Sequence, residues 1–164
     1  MARDVAAAGR SAPDLDGAGL RVAIVCGRFN DHVTTRLLEG TRRGLATAGV
    51  ADADVQVEWV PGAFEIPLAA KAFAESGRVD AVIGLGCVIR GATTHYEAVA
   101  GESAAGILRA GLATGVPVIF GVLTTEDLVQ ALERSQGPGG HNVGEEGAHT
   151  AVEMVRLLER VRQP

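Results

Sequence analysis

The chain has 164 residues, 47% of them hydrophobic but only 4% aromatic, and a formal net charge of -5. That length suits one domain with a core of Ala, Val, Leu and Ile; the acidic balance argues against a nucleic-acid or anionic-membrane partner, which would want a basic face. No apolar run reaches the roughly 20 residues of a membrane helix, Met1–Arg10 has no apolar signal core, and two cysteines, Cys26 and Cys87, are too few for a disulfide scaffold, so a cytoplasmic protein with reduced, half-buried thiols is expected.

Residues 1–19 lack periodicity and are expected to form a loosely ordered arm, leaving 20–164 as one folded domain. Leu20–Cys26 is a short apolar run, read as a strand. Val33, Leu37, Leu38, Thr41, Leu45 and Ala48 recur at helical spacing until Gly49 stops them. Val55, Val57 and Trp59 alternate with Gln56 and Glu58, the period of a strand. Pro61-Gly62 turns the chain into a helix that tolerates Pro67 only near its first turn and ends at Ser76-Gly77. Val79–Leu85 reads as the third strand, and a Gly/Thr loop leads to a long helix from about His95 to Thr114. Gly115 and Pro117 reset the chain into strand Val118–Leu123, after which Thr124 or Thr125 is expected to cap a helix running to Arg134. Ser135–His141 is a Gly/Pro loop. Asn142 caps the last helix, with Glu145 and Glu146 early and Arg156, Arg160 and Arg162 late, as the helix dipole prefers.

Strands alternating with helices predict an α/β fold: a four-stranded parallel sheet of flavodoxin-like order with helices on both faces, a three-layer doubly wound sandwich. Such sheets bind ligands at the carboxyl ends of their strands, which directs attention to Gly27–Asn30, Pro61–Glu65, Gly86–His95 and Thr124–Thr125.

The run Gly86-Cys87-Val88-Ile89-Arg90-Gly91-Ala92-Thr93-Thr94-His95 nearly has the spacing of a P-loop, but Ala92 stands where the lysine belongs. What remains is a turn feeding a helix N-terminus, which presents N–H groups and a hydroxyl to one phosphate, with Arg90 as countercharge; an ordinary capped βα turn reads the same way. His95 lies beside it, and histidine is the side chain suited to proton transfer near neutrality; alone it would be a surface capping residue. His32, His141 and His149 have no such setting and read as solvated. No histidines and carboxylates share metal-ligand spacing, so no metal is expected. Glu65 is either a first-turn carboxylate meeting the helix dipole or an acceptor for a polyol. Phe29 is either a stacking platform or a residue packed under the next helix.

Arg28-Phe29-Asn30, Pro61-Gly62-Ala63-Phe64-Glu65-Ile66-Pro67, Val88–His95 and Pro117–Glu126 together resemble the motif set of the lumazine synthase family, in order and over about residues 20–160. The resemblance implies condensation of 5-amino-6-ribitylaminouracil with 3,4-dihydroxy-2-butanone 4-phosphate to 6,7-dimethyl-8-ribityllumazine, a step of riboflavin biosynthesis that needs no cofactor. It implies that Phe29 stacks on the pyrimidine, that Ala63, Phe64 and Glu65 hold the ribityl chain, and that Cys87, Val88 and Ile89 offer backbone groups to the uracil edge. Ala92 and Thr93 would bind the phosphate, and His95 would be the general acid/base. A neighbouring subunit would supply Phe120 and Arg134, in a homo-pentamer that some members build into a 60-subunit shell. One departure stands out: where the family often reads Gly-Asn-Lys-Gly, this chain reads His141-Asn142-Val143-Gly144 with one extra loop residue. The alternative reading is a catalytically impaired shell-forming or flavin-binding relative, which turnover of the two substrates would separate from the enzyme. A flavodoxin-like electron carrier shares the architecture, but one Trp and one Tyr supply no aromatic-lined flavin loop.

Overall fold

Successive residues of the first strand enter opposite cores. In the computed structural model, which describes residues 11–164, β1 (Val22–Gly27) sends Val22, Ile24 and Cys26 into one apolar cluster and Ala23 and Val25 into another. A strand that alternates between two buried faces must lie inside a sheet covered on both sides. With β2 (Val55–Val60), β3 (Ala81–Ile89) and β4 (Val118–Thr125) it forms a four-stranded sheet of order β2-β1-β3-β4, parallel throughout. Helices α1 (Asp31–Thr47), α4 (Leu128–Glu133) and α5 (Val143–Arg162) bring Leu37, Ala131 and Val152 to the first cluster. Helices α2 (Ile66–Glu75) and α3 (His95–Thr114) bring Ile66, Ala70 and Ile107 to the second. The three-layer sandwich is the one that the alternating pattern predicts.

Two boundaries move. The third strand continues from Ala81 to Ile89 rather than stopping at Leu85, so Gly86–Ile89 belong to the sheet and the loop shrinks to Arg90–Thr94. Gly84 and Gly86 lie within this strand and admit α2. A Cβ on Gly84 would stand 2.7 Å from Ile66 Cγ2, so a bare backbone lets Ile66 sit directly on the strand. Likewise Thr124 and Thr125 finish β4 instead of capping a helix; Asp127 is the cap, its Oδ1 accepting from Gln130 N at 2.8 Å, and the helix stops at Glu133. Asn142 caps α5 as expected, accepting from Gly144 N at 2.9 Å and Glu145 N at 3.2 Å.

Of the segment 1–19, residues 1–10 lie outside the described residues. Its end is fastened: Gly17 N donates to Ala48 O at 2.7 Å, and Arg156 donates to Asp16 O at 2.6 Å and Ala18 O at 2.8 Å. The expectation of a loose arm therefore does not extend to these residues. Among the described residues no helix is long and apolar enough to cross a membrane.

Helices α1 and α5 touch backbone to backbone at Gly144, whose carbonyl lies 3.0 Å from the buried Thr41 hydroxyl. A Cβ there would collide with the Leu37 carbonyl oxygen and stand 2.7 Å from Thr41 Oγ1. Gly144→Ala is expected to cost about 1–3 kcal/mol through overpacking, more than the roughly 1 kcal/mol of helix propensity that alanine brings. Thermal unfolding checks this: Tm should fall by about 2–4 °C per kcal/mol, and an unmoved Tm would mean that the helices are not held this close.

Candidate active site

The site begins where the sheet becomes ragged. β1 pairs with β3 from Val22↔Ala81 only to Cys26↔Leu85, whereas β3 and β4 stay paired as far as Ile89↔Thr125. Gly86–Ile89 thus project past β1 with one edge uncovered. Arg90 N donates to Thr125 O at 2.9 Å, towards β4. Alternation then turns Val88 towards β4 as well, and turns the N–H and C=O of Cys87 and Ile89 to the open edge. Asn30 reaches across this edge, its Nδ2 donating to Cys87 O at 2.9 Å. Only the backbone of Cys87 is presented there, because its side chain is buried in the core. Both thiols are buried rather than half-buried, and burial pushes Cys87 up to about 11 and Cys26 to about 12, so both stay protonated at neutral pH.

Aromatic and acidic groups flank the overhang. Arg28 N donates to Val60 O at 2.9 Å and Phe29 N to Pro61 O at 3.1 Å, binding the loop after β1 to the loop after β2. Gly62 lies between the two: a Cβ on it would be 3.8 Å from Phe29 Cβ and 3.4 Å from Glu65 Oε2. Phe29 is 75% exposed and Phe64 57% exposed, so Phe29 does not pack beneath α1. Such exposure is costly for a phenyl ring unless something covers it. Ala63, in the single turn of 3-10 helix Ala63–Glu65, is buried in the second cluster, its Cβ 3.6 Å from where a Cβ on Gly86 would stand.

On the other side of the overhang, Arg90–Thr94 turns into α3. Ala92, Thr93 and His95 are all exposed; His95 is the first helical residue, and its N–H lies 3.4 Å from Thr93 Oγ1. Arg90 is not the free countercharge expected from the sequence. Its guanidinium pairs with Glu97, meets Glu126 Oε2 at 2.8 Å and stands 4.2 Å above the Tyr96 ring. Hydrogen bonding to Arg90 holds the Glu97 carboxyl below the usual carboxylate range. Two further expectations shift: His141 is half-buried with Nε2 3.1 Å from Glu146 Oε1, and His149 is half-buried too, while His32 is exposed.

Phe29, Ala63, Phe64, Glu65, Cys87, Val88, Ile89, Ala92, Thr93 and His95 therefore all lie on the carboxyl-end loops and strand tips. Phe120 and Arg134 do not join them. Phe120 pairs in register with Gly84, three residues or about 10 Å down the sheet from Cys87 at the usual strand rise. It lines a hollow with Val143, Glu146 and Thr150 on the outer edge of β4. Arg134 follows the short α4 and turns back on it, Nη1 donating to Gln130 O at 2.9 Å. Sequence reasoning missed two residues. Asn30 bridges the open edge and holds the one non-glycine left-handed backbone among the described residues, φ 59°. An Asn just before a helix is the available signal, since it tolerates that conformation. Glu126 ends the Pro117–Glu126 motif, but its pairing with Arg90 had no signal, because the two lie 36 residues apart in sequence.

A doubly wound α/β domain whose exposed aromatic, carboxylate and histidine groups gather at the strand carboxyl ends belongs to the class that binds small molecules at that edge. The family model for 6,7-dimethyl-8-ribityllumazine synthase matches residues 19–159. The chain belongs to that family of riboflavin-pathway transferases.

Proposed function

We propose that the protein condenses 5-amino-6-ribitylaminouracil with 3,4-dihydroxy-2-butanone 4-phosphate, releasing phosphate and water. The observation that carries this reading is the overhang of β3. Two inward-turned peptide groups, at Cys87 and Ile89, can hydrogen-bond the edge of a flat heterocycle, with the exposed Phe29 ring available to stack on its face. Val88 contributes through its side chain, since its peptide faces β4. Glu65, Phe64 and Ala63 bound the side on which the ribityl chain extends. The Ala92–Thr93 turn at the head of the 20-residue α3 offers N–H groups and a hydroxyl to the phosphate. His95 moves the protons: the amine adds to the ketone, water leaves to give the Schiff base, phosphate departs and the ring closes with loss of water. The test is turnover of the two substrates, without nucleotide and in excess EDTA; no lumazine product would overturn it.

We further propose that each site is completed by a neighbouring copy in a ring. The outer edge of β4 supports this. Leu108 (63% exposed), Leu112 (77%) and Phe120 (42%) lie along it, beside a groove of about 390 Å³ lined by Val116, Val118, Ile119 and Met154. An uncovered edge strand with a flanking apolar groove invites a second chain, and a head-to-tail contact repeated around an axis closes a ring. Phe120 and Arg134 would then face the neighbour's loops.

Val143 lines the same edge as Phe120 and packs partly on the core. A lysine there can lay its stem along the apolar groove and carry its ammonium to the rim. Val143→Lys is expected to lower KM for the butanone phosphate about fivefold, from roughly 1 kcal/mol of charge-assisted contact, with kcat little changed. An unmoved KM would mean that position 143 does not meet the anion.

A further inference from the structure

Arg90 is the most highly connected side chain at the candidate site, and it touches three elements. It leaves the tip of β3, where its N–H is bonded to Thr125 O at 2.9 Å. Its guanidinium pairs with Glu97 and stacks 4.2 Å over Tyr96, both in the first turn of α3. Its Nε donates to Glu126 at 2.8 Å, in the turn between β4 and α4. The residues it encloses, Gly91–His95, have little else to fix them: a Cβ on Gly91 would meet nothing within 4 Å, and Thr94 makes no side-chain cap for α3. The planar guanidinium suits this task, since its fork serves two carboxylates while its face lies on a ring.

We propose that Arg90 is a positioning residue: by tying the head of α3 to the β4–α4 turn, it fixes the Ala92–Thr93 phosphate seat and His95, and does not itself bind the phosphate. This rests on the reading of that turn as the phosphate seat. A direct ligand and a clamp differ in the sign of one effect. If Arg90 were the anion's ligand, neutralising Glu97 or Glu126 would release its charge and remove a repelling one, and phosphate would bind more tightly. If Arg90 is a clamp, losing either carboxylate loosens the seat, and phosphate binds more weakly despite the removed negative charge.

The experiment measures inorganic phosphate binding to the assembled protein by calorimetry for wild type, Arg90→Gln, Arg90→Lys, Glu97→Gln and Glu126→Gln. The salt-bridged groups are exposed by 39% at Arg90, 55% at Glu97 and 59% at Glu126; exposed pairs add little to global stability, so these variants should fold. Arg90→Gln is expected to weaken binding roughly tenfold, the scale of one hydrogen bond to a charged group lost when the seat loosens. Each carboxylate variant should move in the same direction by less, and Arg90→Lys should recover only part of the loss. Amide exchange of Gly91–His95 should quicken in Arg90→Gln without phosphate present, which loss of a mere ligand charge would not do. Tighter phosphate binding in either carboxylate variant, wild-type binding by Arg90→Lys, or unchanged amide exchange overturns the clamp. A wild-type protein that takes up no phosphate removes the seat itself, and the proposal with it.

Discussion

His95→Ala should lower kcat by about 100-fold, the low end of what removing a general acid/base costs, and leave substrate affinity close to wild type. The low end follows from the reactants: an aromatic amine and an activated ketone react without help, so much of the rate comes from holding them together. The small effect on affinity follows from position. His95 is exposed at the first turn of α3, and its resolved contact is a backbone N–H 3.4 Å from the Thr93 hydroxyl. Its imidazole supports no core packing, so the variant should fold as wild type does. Steady-state kinetics on both substrates checks the split. An unchanged kcat would remove the proton-transfer role, and a rise in KM as large as the fall in kcat would make His95 a binding residue instead.

The second large effect is a restoration of activity. A chain carrying Phe29→Ala and His95→Ala, refolded alone, should be nearly inactive, and an Arg134→Ala chain should be severely impaired. Refolded together in equal amounts, they should recover about a quarter of wild-type activity, because random assembly around a ring gives that share of interfaces an intact loop cluster facing an intact Arg134. The expectation comes from what one chain brings together. Phe29, Glu65, Thr93 and His95 gather at the strand tips, whereas Arg134 bonds back to Gln130 and Phe120 lines the far edge of β4. The mixture is assayed against each parent at equal total protein, with native mass measurement to demonstrate mixed rings. Mixed rings no more active than the mean of their parents would place every functional group of a site within one chain.

The fold could be read from periodicity because each helix and strand has one job. Val33, Leu37 and Leu45 repeat at helical spacing because a stripe of α1 faces the sheet, and all three are buried. The strand ends were less legible. Glycine usually ends a strand, yet Gly84 and Gly86 sit within β3 because Ile66, far away in sequence, occupies the space that their side chains would fill. The start of α4 was similarly obscured: Thr124 and Thr125 read as caps, but the continued pairing of β3 with β4 keeps both in the strand and leaves the cap to Asp127. Within the candidate site, residues set by local chain direction were legible, such as Phe29 on its loop and His95 at its helix start. Arg90 was not, because its two carboxylate partners depend on how α3 and the turn after β4 converge in space.

The overhang of β3 has a consequence for how such a protein tolerates change. A heterocycle held by the peptide groups of Cys87 and Ile89 is recognised by atoms that every residue except proline carries. Side-chain identity at these positions is then constrained by the core behind them, not by the ligand. If the proposed recognition holds, substitutions of Cys87 or Ile89 by valine or another small apolar residue should leave it unchanged as long as the strand keeps its course, while proline at either position would remove a donor outright. On that reading, selectivity resides in the backbone of Cys87 and Ile89, while tolerance to change is set by the packing behind it, down to Gly86, where a Cβ would stand 3.3 Å from Ile66 Cδ1.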